Sequence, residues 1–261
     1  MKEKAILVVS FGTSYVETCA KTIEKMEDAA REAYPDHEVF RAWTSGIIRR
    51  KMAKRDGVQI WSVSEAMEQM HKKGIKEVVV QPTHVLNGIE NEIMVKVIEA
   101  YHGFYEKVSV GKPLLTTRED CEEMVDLMIQ EWELSDEEML VFMGHGTEHH
   151  ADFVYAAMNY QFLMKGHANM AMGTVEGYPT IEEMLQTAKQ LKPKKVILTP
   201  FMIVAGDHAN NDLAGDEEDS WKSIFEAEGY QVECVLKGLG EYEGVRRIFM
   251  EHLQEAVSSG K

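Results

Sequence analysis

Short apolar runs alternate with amphipathic segments along the whole chain. The runs are rich in Val, Ile, Leu and Met, a composition typical of buried strands. In the first amphipathic segment, Cys19, Ile23, Met26 and Ala30 recur at helical spacing and form one apolar stripe. Because near-continuous apolar strands alternate with helices, the pattern predicts parallel sheets that are covered by helices on both faces.

The same pattern places the individual elements. The predicted strands are Ala5–Ser10, Glu38–Trp43, Glu77–Gln81, Lys107–Val110, Met139–Met143, Ala168–Val175, Lys195–Thr199 and Gln231–Leu236. Besides the helix of the Cys19 stripe, the predicted helices are Ser64–Lys73, Asn91–His102, Thr116–Trp132, Ala151–Lys165, Thr180–Leu191, Ser220–Glu228 and Tyr242–Val257.

A weak internal repeat divides the eight strands into two sets of four. The segment Val9–Thr13 aligns with Met143–Thr147, and Lys76–Pro82 aligns with Lys194–Pro200. The competing interpretation is that any two parallel strands ending in Gly or Pro look alike. We predict an α/β protein of two similar Rossmann-like domains, each with a four-stranded parallel sheet flanked by helices.

Length and composition agree with this organisation. The 261 residues are 44% hydrophobic and 28% charged, which is ordinary globular usage and excludes disordered and fibrous classes. We place the junction near Leu134–Glu138, so that the predicted domains are 1–134 and 135–261. The last predicted helix, Tyr242–Val257, is a candidate to pack back on the first domain.

The charge argues against several classes of partner. The net charge of −16 is unfavourable for binding nucleic acid or an anionic membrane, since both require a basic face. No apolar run approaches the roughly 20 residues that span a bilayer. The run Ala5–Ser10 is shorter and more strand-like than a secretory signal, so we expect a cytoplasmic protein. The sequence does not determine the oligomeric state, and a homo-oligomer is one of the possibilities.

One basic run stands out against this acidic background. The segment Arg41–Arg55 holds six basic residues, among them Arg49, Arg50 and Lys54. It fits either a solvated helix face or a site that recognises a small polyanion, and the sequence leaves both interpretations open.

Candidate chemistry follows the predicted strands of the second half. His145 lies in a Gly-His-Gly motif after the first of these strands, Glu176 follows the second, and His208 follows the third. Ligands of open α/β sheets bind beyond the carboxyl ends of the strands. Two imidazoles and a carboxylate there suit Co²⁺, Fe²⁺, Ni²⁺ or Zn²⁺ and leave positions open for exchange. In the first half, His84 and Glu90 follow the third strand.

Other motifs are weak or absent. His149 and His150 open the next predicted helix and are interpreted as surface or as the rim of a pocket. The chain has neither a GxxxxGK[ST] phosphate loop nor a GxSxG nucleophile elbow. No organic cofactor is expected.

Several segments resemble the anaerobic sirohydrochlorin cobaltochelatases, class II chelatases of the cobalamin pathway that are related to the ferrochelatases. The resemblance runs nearly end to end and is carried by Leu7–Ser14, Arg41–Gly46, Val141–Gly146 and Val204–Asp212. It implies two Rossmann-like domains and an enzyme that inserts Co²⁺, its metal substrate, into a polycarboxylate tetrapyrrole.

The resemblance also implies roles for individual residues. His145, Glu176 and His208 are expected to hold the metal, with His145 also acting as the base and Glu90 as a second catalytic acid. Insertion displaces two pyrrole N–H protons, and imidazole, with an ordinary pKa of about 6.5, can accept protons near neutrality. The residues expected to contact the tetrapyrrole are Phe11, Thr13, Ser14, Arg49 and Arg50.

Three alternatives stay open at this stage. The same reaction with Fe²⁺ would supply sirohaem, and imidazole and carboxylate ligands separate the two metals poorly. A non-catalytic carrier of tetrapyrrole or metal would use the same residues without turnover. A zinc hydrolase is the third alternative.

Overall fold

Eight strands form two four-stranded sheets in which all of the described strand pairs are parallel. The computed structural model describes residues 2–259. The strands are β1 (Lys4–Ser10), β2 (His37–Trp43), β3 (Glu77–Pro82), β4 (Lys107–Val110), β5 (Glu138–Gly144), β6 (Met170–Thr174), β7 (Lys195–Pro200) and β8 (Gln231–Cys234). The predicted fold class is confirmed, with β6 and β8 shorter than expected.

Both sheets have the same strand order. The first sheet is ordered β2-β1-β3-β4 and the second β6-β5-β7-β8. In each sheet the first strand of the set lies between the second and the third. The repeated segments of the sequence therefore occupy matching places, at the ends of β1 and β5 and along β3 and β7.

Ten α-helices connect the strands within the described residues. They are α1 (Val16–Lys21), α2 (Ile23–Ala33), α3 (Gly46–Asp56), α4 (Val63–Lys72), α5 (Ile89–Glu99), α6 (Arg118–Glu131), α7 (Phe153–Met164), α8 (Ile181–Leu191), α9 (Trp221–Ala227) and α10 (Glu243–Ser258). The Cys19 stripe is divided between α1 and α2 because the backbone leaves the helical region at Thr22. No helix in residues 2–259 is long and apolar enough to cross a membrane.

Reciprocal side-chain caps fix where several helices begin. At the start of α4, the Ser62 hydroxyl accepts the Glu65 N–H while the Glu65 carboxylate accepts the Ser62 N–H. Thr180 and Glu183 form the same capping box at α8, and Thr117 begins α6 in the same way. Each cap satisfies backbone donors that the helix leaves unpaired, so these starts are encoded locally.

Alternate residues of β1 pack on opposite faces of the first sheet. Leu7 and Val9 belong to the core that the sheet forms with α4 and α5, whereas Ile6 and Val8 pack with α2 and α10. This alternation follows from the two-residue period of a strand. The last helix, α10, lies against β3 and α2.

The second sheet is covered in the same manner. Met139, Val141 and Met143 of β5 pack with α8 and α9. On the opposite face, Phe142 stacks on Phe162 of α7, with ring centroids 5.8 Å apart. The near-continuous apolar character of β5 thus reflects burial on both faces.

The chain divides into two compact units. One contains the residues up to 116 together with those from 240 onward, and the other contains residues 117–239. A boundary at residue 134, as expected from the sequence, would place α6 with the first sheet. In the structure α6 groups with the second unit because it packs against α7, and α10 groups with the first.

A buried ion pair ties α2 to β2. Arg41 Nε and Nη2 donate to the two carboxylate oxygens of Glu27 at 2.6 and 2.9 Å, and Nη2 also reaches Glu24 at 3.2 Å. The Glu27 side chain is only 1% exposed. Arg41 is the first residue of the basic run, and its charge is therefore neutralised by an ion pair within the first unit.

Replacing Arg41 should destabilise the protein. In Arg41→Met the buried Glu27 carboxylate loses its bidentate partner, and we expect about 3 kcal/mol less unfolding free energy in urea titrations. Arg118→Met is the matched control, since Arg118 pairs with Glu122 on an exposed helix face and should matter far less. Equal stabilities of the two variants would contradict this account of the pair.

Candidate metal centre

Three side chains lie together beyond the carboxyl ends of neighbouring strands in the second sheet. β5 leads directly into His145, β6 leads to Glu176, and the chain reaches His208 through a loop after β7. One ligand atom from each residue lies within 4.8 Å of the other two. In residues 2–259 this is the one group of three or more His, Cys, Asp or Glu side chains with that spacing.

The group is open to solvent and arranged around a common point. The His145 and His208 rings meet edge to face, with centroids 4.7 Å apart, and His145 Nδ1 lies 3.8 Å from Glu176 Oε2. All three side chains are between 35% and 59% exposed. Ligands of a tetrahedral ion with bonds of about 2.1 Å are about 3.4 Å apart. Because the candidate ligand atoms lie within 4.8 Å of one another, the group would have to contract by up to about 1.4 Å to bind one divalent cation.

Hydrogen bonds assign the nitrogen that each imidazole offers. His145 Nδ1 lies 2.9 Å from the Gly146 carbonyl oxygen, and His208 Nδ1 lies 2.5 Å from Asp212 Oδ2. Both partners accept, so each Nδ1 carries a hydrogen and donates it. Each Nε2 then keeps the lone pair that a metal or a proton requires.

Asp212, the partner of His208, is a residue of the site that the sequence motifs did not single out. It lies four residues after His208, in the short π-helical turn Ala209–Leu213. Residues four positions apart lie on the same face of a helix. The spacing of Asp212 from His208 is therefore the sequence signal that could have identified it.

The two loops that carry His145 and Glu176 are held by their backbones. The β5–β6 ladder continues past the strands, because the Glu176 N–H donates to the His145 carbonyl at 2.8 Å. Gly146 has a φ of +82°, a conformation that side chains disfavour. Main-chain hydrogen bonds thus hold the two loops together up to the positions of the two ligands.

The other predicted catalytic residue lies in the first unit. Glu90 is exposed in the first turn of α5. Nearby in sequence, His84 is buried, with its Nδ1 3.4 Å from Asn91 Oδ1. Burial lowers the pKa of His84, so this imidazole is neutral at neutral pH. Its surroundings do not resemble those of the exposed histidines in the second unit.

The predicted tetrapyrrole contacts after β1 differ in accessibility. The Phe11 ring is 48% exposed at the end of the strand. Thr13 and Ser14 are buried, and they shape the loop: Thr13 Oγ1 accepts the Tyr15 N–H, and the Ser14 carbonyl accepts from Arg55. Phe11 is therefore the member of this set that presents a large surface to solvent.

The basic run covers the end of β2, a short loop and most of α3. Arg49 Nη1 lies 3.1 Å from Glu65 Oε2, which neutralises part of its charge. Arg50 and Lys54 are exposed, and no ion pair to them occurs within the described part of the chain. The free positive charge of α3 is thus concentrated on these two side chains and their neighbour Lys51.

The adjacent histidines have a local contact. His149 Nδ1 accepts the Ala151 N–H at 3.1 Å and caps the short 3₁₀ helix His150–Asp152. The His149 and His150 rings lie 3.9 Å apart, outside the group of possible metal ligands.

Comparison with known proteins identifies relatives over the full chain. A family model described as cobalt chelatase matches residues 4–258. A sirohydrochlorin cobaltochelatase from Salmonella typhimurium is 37% identical over 257 residues, covering 98% of this chain and 97% of the relative. The sirohydrochlorin cobaltochelatase CbiKC of Nitratidesulfovibrio vulgaris is 34% identical, covering 99% of this chain and 92% of the relative.

Solved structures share the fold at low identity. The sirohydrochlorin chelatase SirB from Bacillus subtilis subspecies spizizenii, in complex with cobalt, is 13% identical with a TM-score of 0.63 and covers 98% of this chain and 96% of its own. SirB from Bacillus subtilis with Fe³⁺ is 14% identical with a TM-score of 0.65, covering 98% and 97%. These likenesses support the fold alone.

Metal binding can be tested without tetrapyrrole. Glu176→Ala and His208→Ala should each weaken Co²⁺ binding in calorimetric titrations, since each removes one of three neighbouring ligands. Glu182→Ala and His167→Ala, which change the same residue types elsewhere in the second unit, should retain wild-type affinity. Wild-type affinity in both site variants would move the metal ligands to other residues.

Proposed function

This chain belongs to the cobalt chelatase family, and we propose that it inserts Co²⁺ into sirohydrochlorin to give cobalt-sirohydrochlorin in anaerobic cobalamin biosynthesis. The observation that carries the proposal is the group of His145, Glu176 and His208, open to solvent at the end of the second sheet. Two relatives that are named sirohydrochlorin cobaltochelatase, at 37% and 34% identity, support the substrate.

His145 is proposed as both ligand and base. Metal insertion exchanges the two pyrrole N–H protons of the macrocycle for one divalent cation, so a base must accept protons beside the metal. The one lone pair of His145 Nε2 is available because the Gly146 carbonyl holds the hydrogen on Nδ1. It would bind the ion first and, once the ion has moved to the macrocycle, would accept one pyrrole proton, while the second proton passes to solvent. Glu176 and His208 complete the ligand set, while three protein ligands leave positions open for the pyrrole nitrogens.

The catalytic role of Glu90 stays a prediction. Its side chain is exposed in the first turn of α5, in the first unit. The predicted cytoplasmic location likewise stays a prediction.

Cobalt is proposed as the physiological metal on the basis of the family and the two named relatives. Imidazole and carboxylate also bind Fe²⁺, Ni²⁺ and Zn²⁺, so the ligands do not select cobalt by themselves. Anaerobic assays with Co²⁺ and Fe²⁺ in competition test this point. Preferential formation of iron-sirohydrochlorin at equal metal concentrations would contradict the proposal and show that Fe²⁺ is the preferred metal substrate.

The substitution His145→Ala should abolish cobalt insertion, because it removes the proposed base and one ligand. Turnover is followed by the absorbance change of sirohydrochlorin on metallation, and the thermal unfolding midpoint checks that the variant is folded. His167→Ala serves as the control. Near-normal turnover by folded His145→Ala protein would exclude this residue from the mechanism.

The same assay separates an enzyme from a carrier. A carrier would bind sirohydrochlorin at one equivalent and show no catalytic turnover with excess metal and tetrapyrrole. Repeated turnover by the wild-type protein is the result expected here.

The unpaired charges of α3 should assist binding of the anionic tetrapyrrole. In Arg50→Gln/Lys54→Gln, the apparent KM for sirohydrochlorin should rise at low salt, and the difference should shrink as ionic strength screens the charges. Lys25→Gln/Lys96→Gln removes the same charge from exposed positions on α2 and α5 of the first unit. An equal rise in KM for both double variants would indicate an effect of net charge rather than of α3.

A further inference from the structure

A buried carboxylate connects the two loops that carry His145 and Glu176. Asp152 Oδ1 accepts the Thr147 N–H at 2.9 Å, and Asp152 Oδ2 accepts the Tyr178 N–H at 2.7 Å. Thr147 lies two residues after His145, and Tyr178 lies two residues after Glu176. One side chain thus holds both loops at equivalent points just beyond the proposed metal ligands.

The loops run side by side between the strand ends and this carboxylate. The last paired residues of β5 and β6 are Gly144 and Thr174. After them the Val175 N–H donates to the Gly144 carbonyl at 3.0 Å, and the Glu176 N–H donates to the His145 carbonyl at 2.8 Å. The hydrogen bonds between the two loops therefore continue from the strand ends outward, and the two bonds to Asp152 are the last of this series.

Packing around the carboxylate leaves no space for a side chain. A Cβ at Gly177 would lie 2.3 Å from Asp152 Oδ1, and a Cβ at Gly146 would lie 2.4 Å from the Gly177 nitrogen. Both distances are far below van der Waals contact. The close approach of the two loops thus depends on glycine at both positions.

Asp152 does not have the usual role of an aspartate at a helix start. It occupies the N-cap position of α7, yet its side chain makes no capping hydrogen bond to that helix. Instead, both oxygens are directed to the loops, and the residue is only 9% exposed. An ionised carboxylate is the side chain that accepts at both oxygens, and its hydrogen bonds are stronger than neutral ones.

We propose that Asp152 is a positioning residue that sets the separation of His145 and Glu176 for metal capture. The inference rests on the proposed function, since it takes these two residues as metal ligands. Without the clamp, the loops would keep their strand-proximal hydrogen bonds but lose the side chain that joins one loop to the other beyond the ligands. The metal would then have to order the loops on binding, which lowers its affinity.

The first test is Asp152→Asn. Asparagine keeps the volume but offers one acceptor and one donor, so one backbone N–H loses its partner. We expect the Kd for Co²⁺ to rise about 10- to 100-fold, as for other groups that orient metal ligands. Amide hydrogen exchange in residues 144–148 and 175–179 of the metal-free protein should also accelerate. Asp126→Asn, at an exposed ion pair of α6, is the control and should change neither quantity.

A second variant separates geometry from charge. Gly177→Ala retains the Asp152 carboxylate but displaces it, and it should reproduce the weaker Co²⁺ binding and the faster exchange. Gly103→Ala, where a Cβ meets nothing within 4 Å, is the matched control. The thermal unfolding curve of each variant shows whether it is folded. If one of the two variants does not fold, the Co²⁺ affinity and amide exchange of the other one test the proposal.

The outcomes distinguish the clamp from the metal site itself. Loss of Co²⁺ binding in His145→Ala together with wild-type affinity in folded Asp152→Asn or Gly177→Ala would overturn the clamp alone. Wild-type affinity in His145→Ala would overturn the proposed site and the clamp with it. Weaker binding and faster loop exchange in both test variants, with both controls unchanged, is the expected result.

Discussion

The parallel pairing of β5 with a strand on each side is the constraint on which the candidate metal centre depends. Parallel strands leave the sheet at the same edge, and neighbouring strands lie about 4.8 Å apart. β5 pairs with β6 through Gly144 and with β7 through Met143, so three chain segments depart from adjacent points. A ligand group can therefore form from residues that are far apart in sequence.

Pairing brings the segments together, but finer contacts orient the ligands. The Gly146 carbonyl and the Asp212 carboxylate hold the hydrogens of the two imidazoles on Nδ1, which leaves both Nε2 atoms available. Main-chain hydrogen bonds keep the His145 and Glu176 loops together beyond the sheet. The ligands are exposed, so a metal ion can reach them from solvent. The groups that orient them are main-chain groups of the loops and the Asp212 carboxylate.

The two halves share an architecture and differ in chemistry. Their strand orders match, yet Phe11 occupies the place in the first half that His145 occupies in the second. When the alignment of Lys76–Pro82 with Lys194–Pro200 is continued at the same offset, Glu90 corresponds to His208. The central strands β1 and β5 are buried along most of their length and are mainly apolar. The loops after them carry no such restriction, so one half could acquire metal ligands without any change of fold.

Apart from α3, the helices and strands were recognisable in the sequence, as were the parallel sheets and the three candidate ligands. These follow from local signals, namely the apolar period and the short motifs around His145 and Glu176. Which polar side chains meet, in contrast, depends on how the folded chain packs. Arg41 belongs to a basic run in the sequence, but it is paired with Glu27 of another element. Asp152 lies at the start of the predicted helix Ala151–Lys165, but both of its oxygens accept hydrogen bonds from neighbouring loops. Such partners depend on the packing of distant segments, and no local pattern encodes the distance between them.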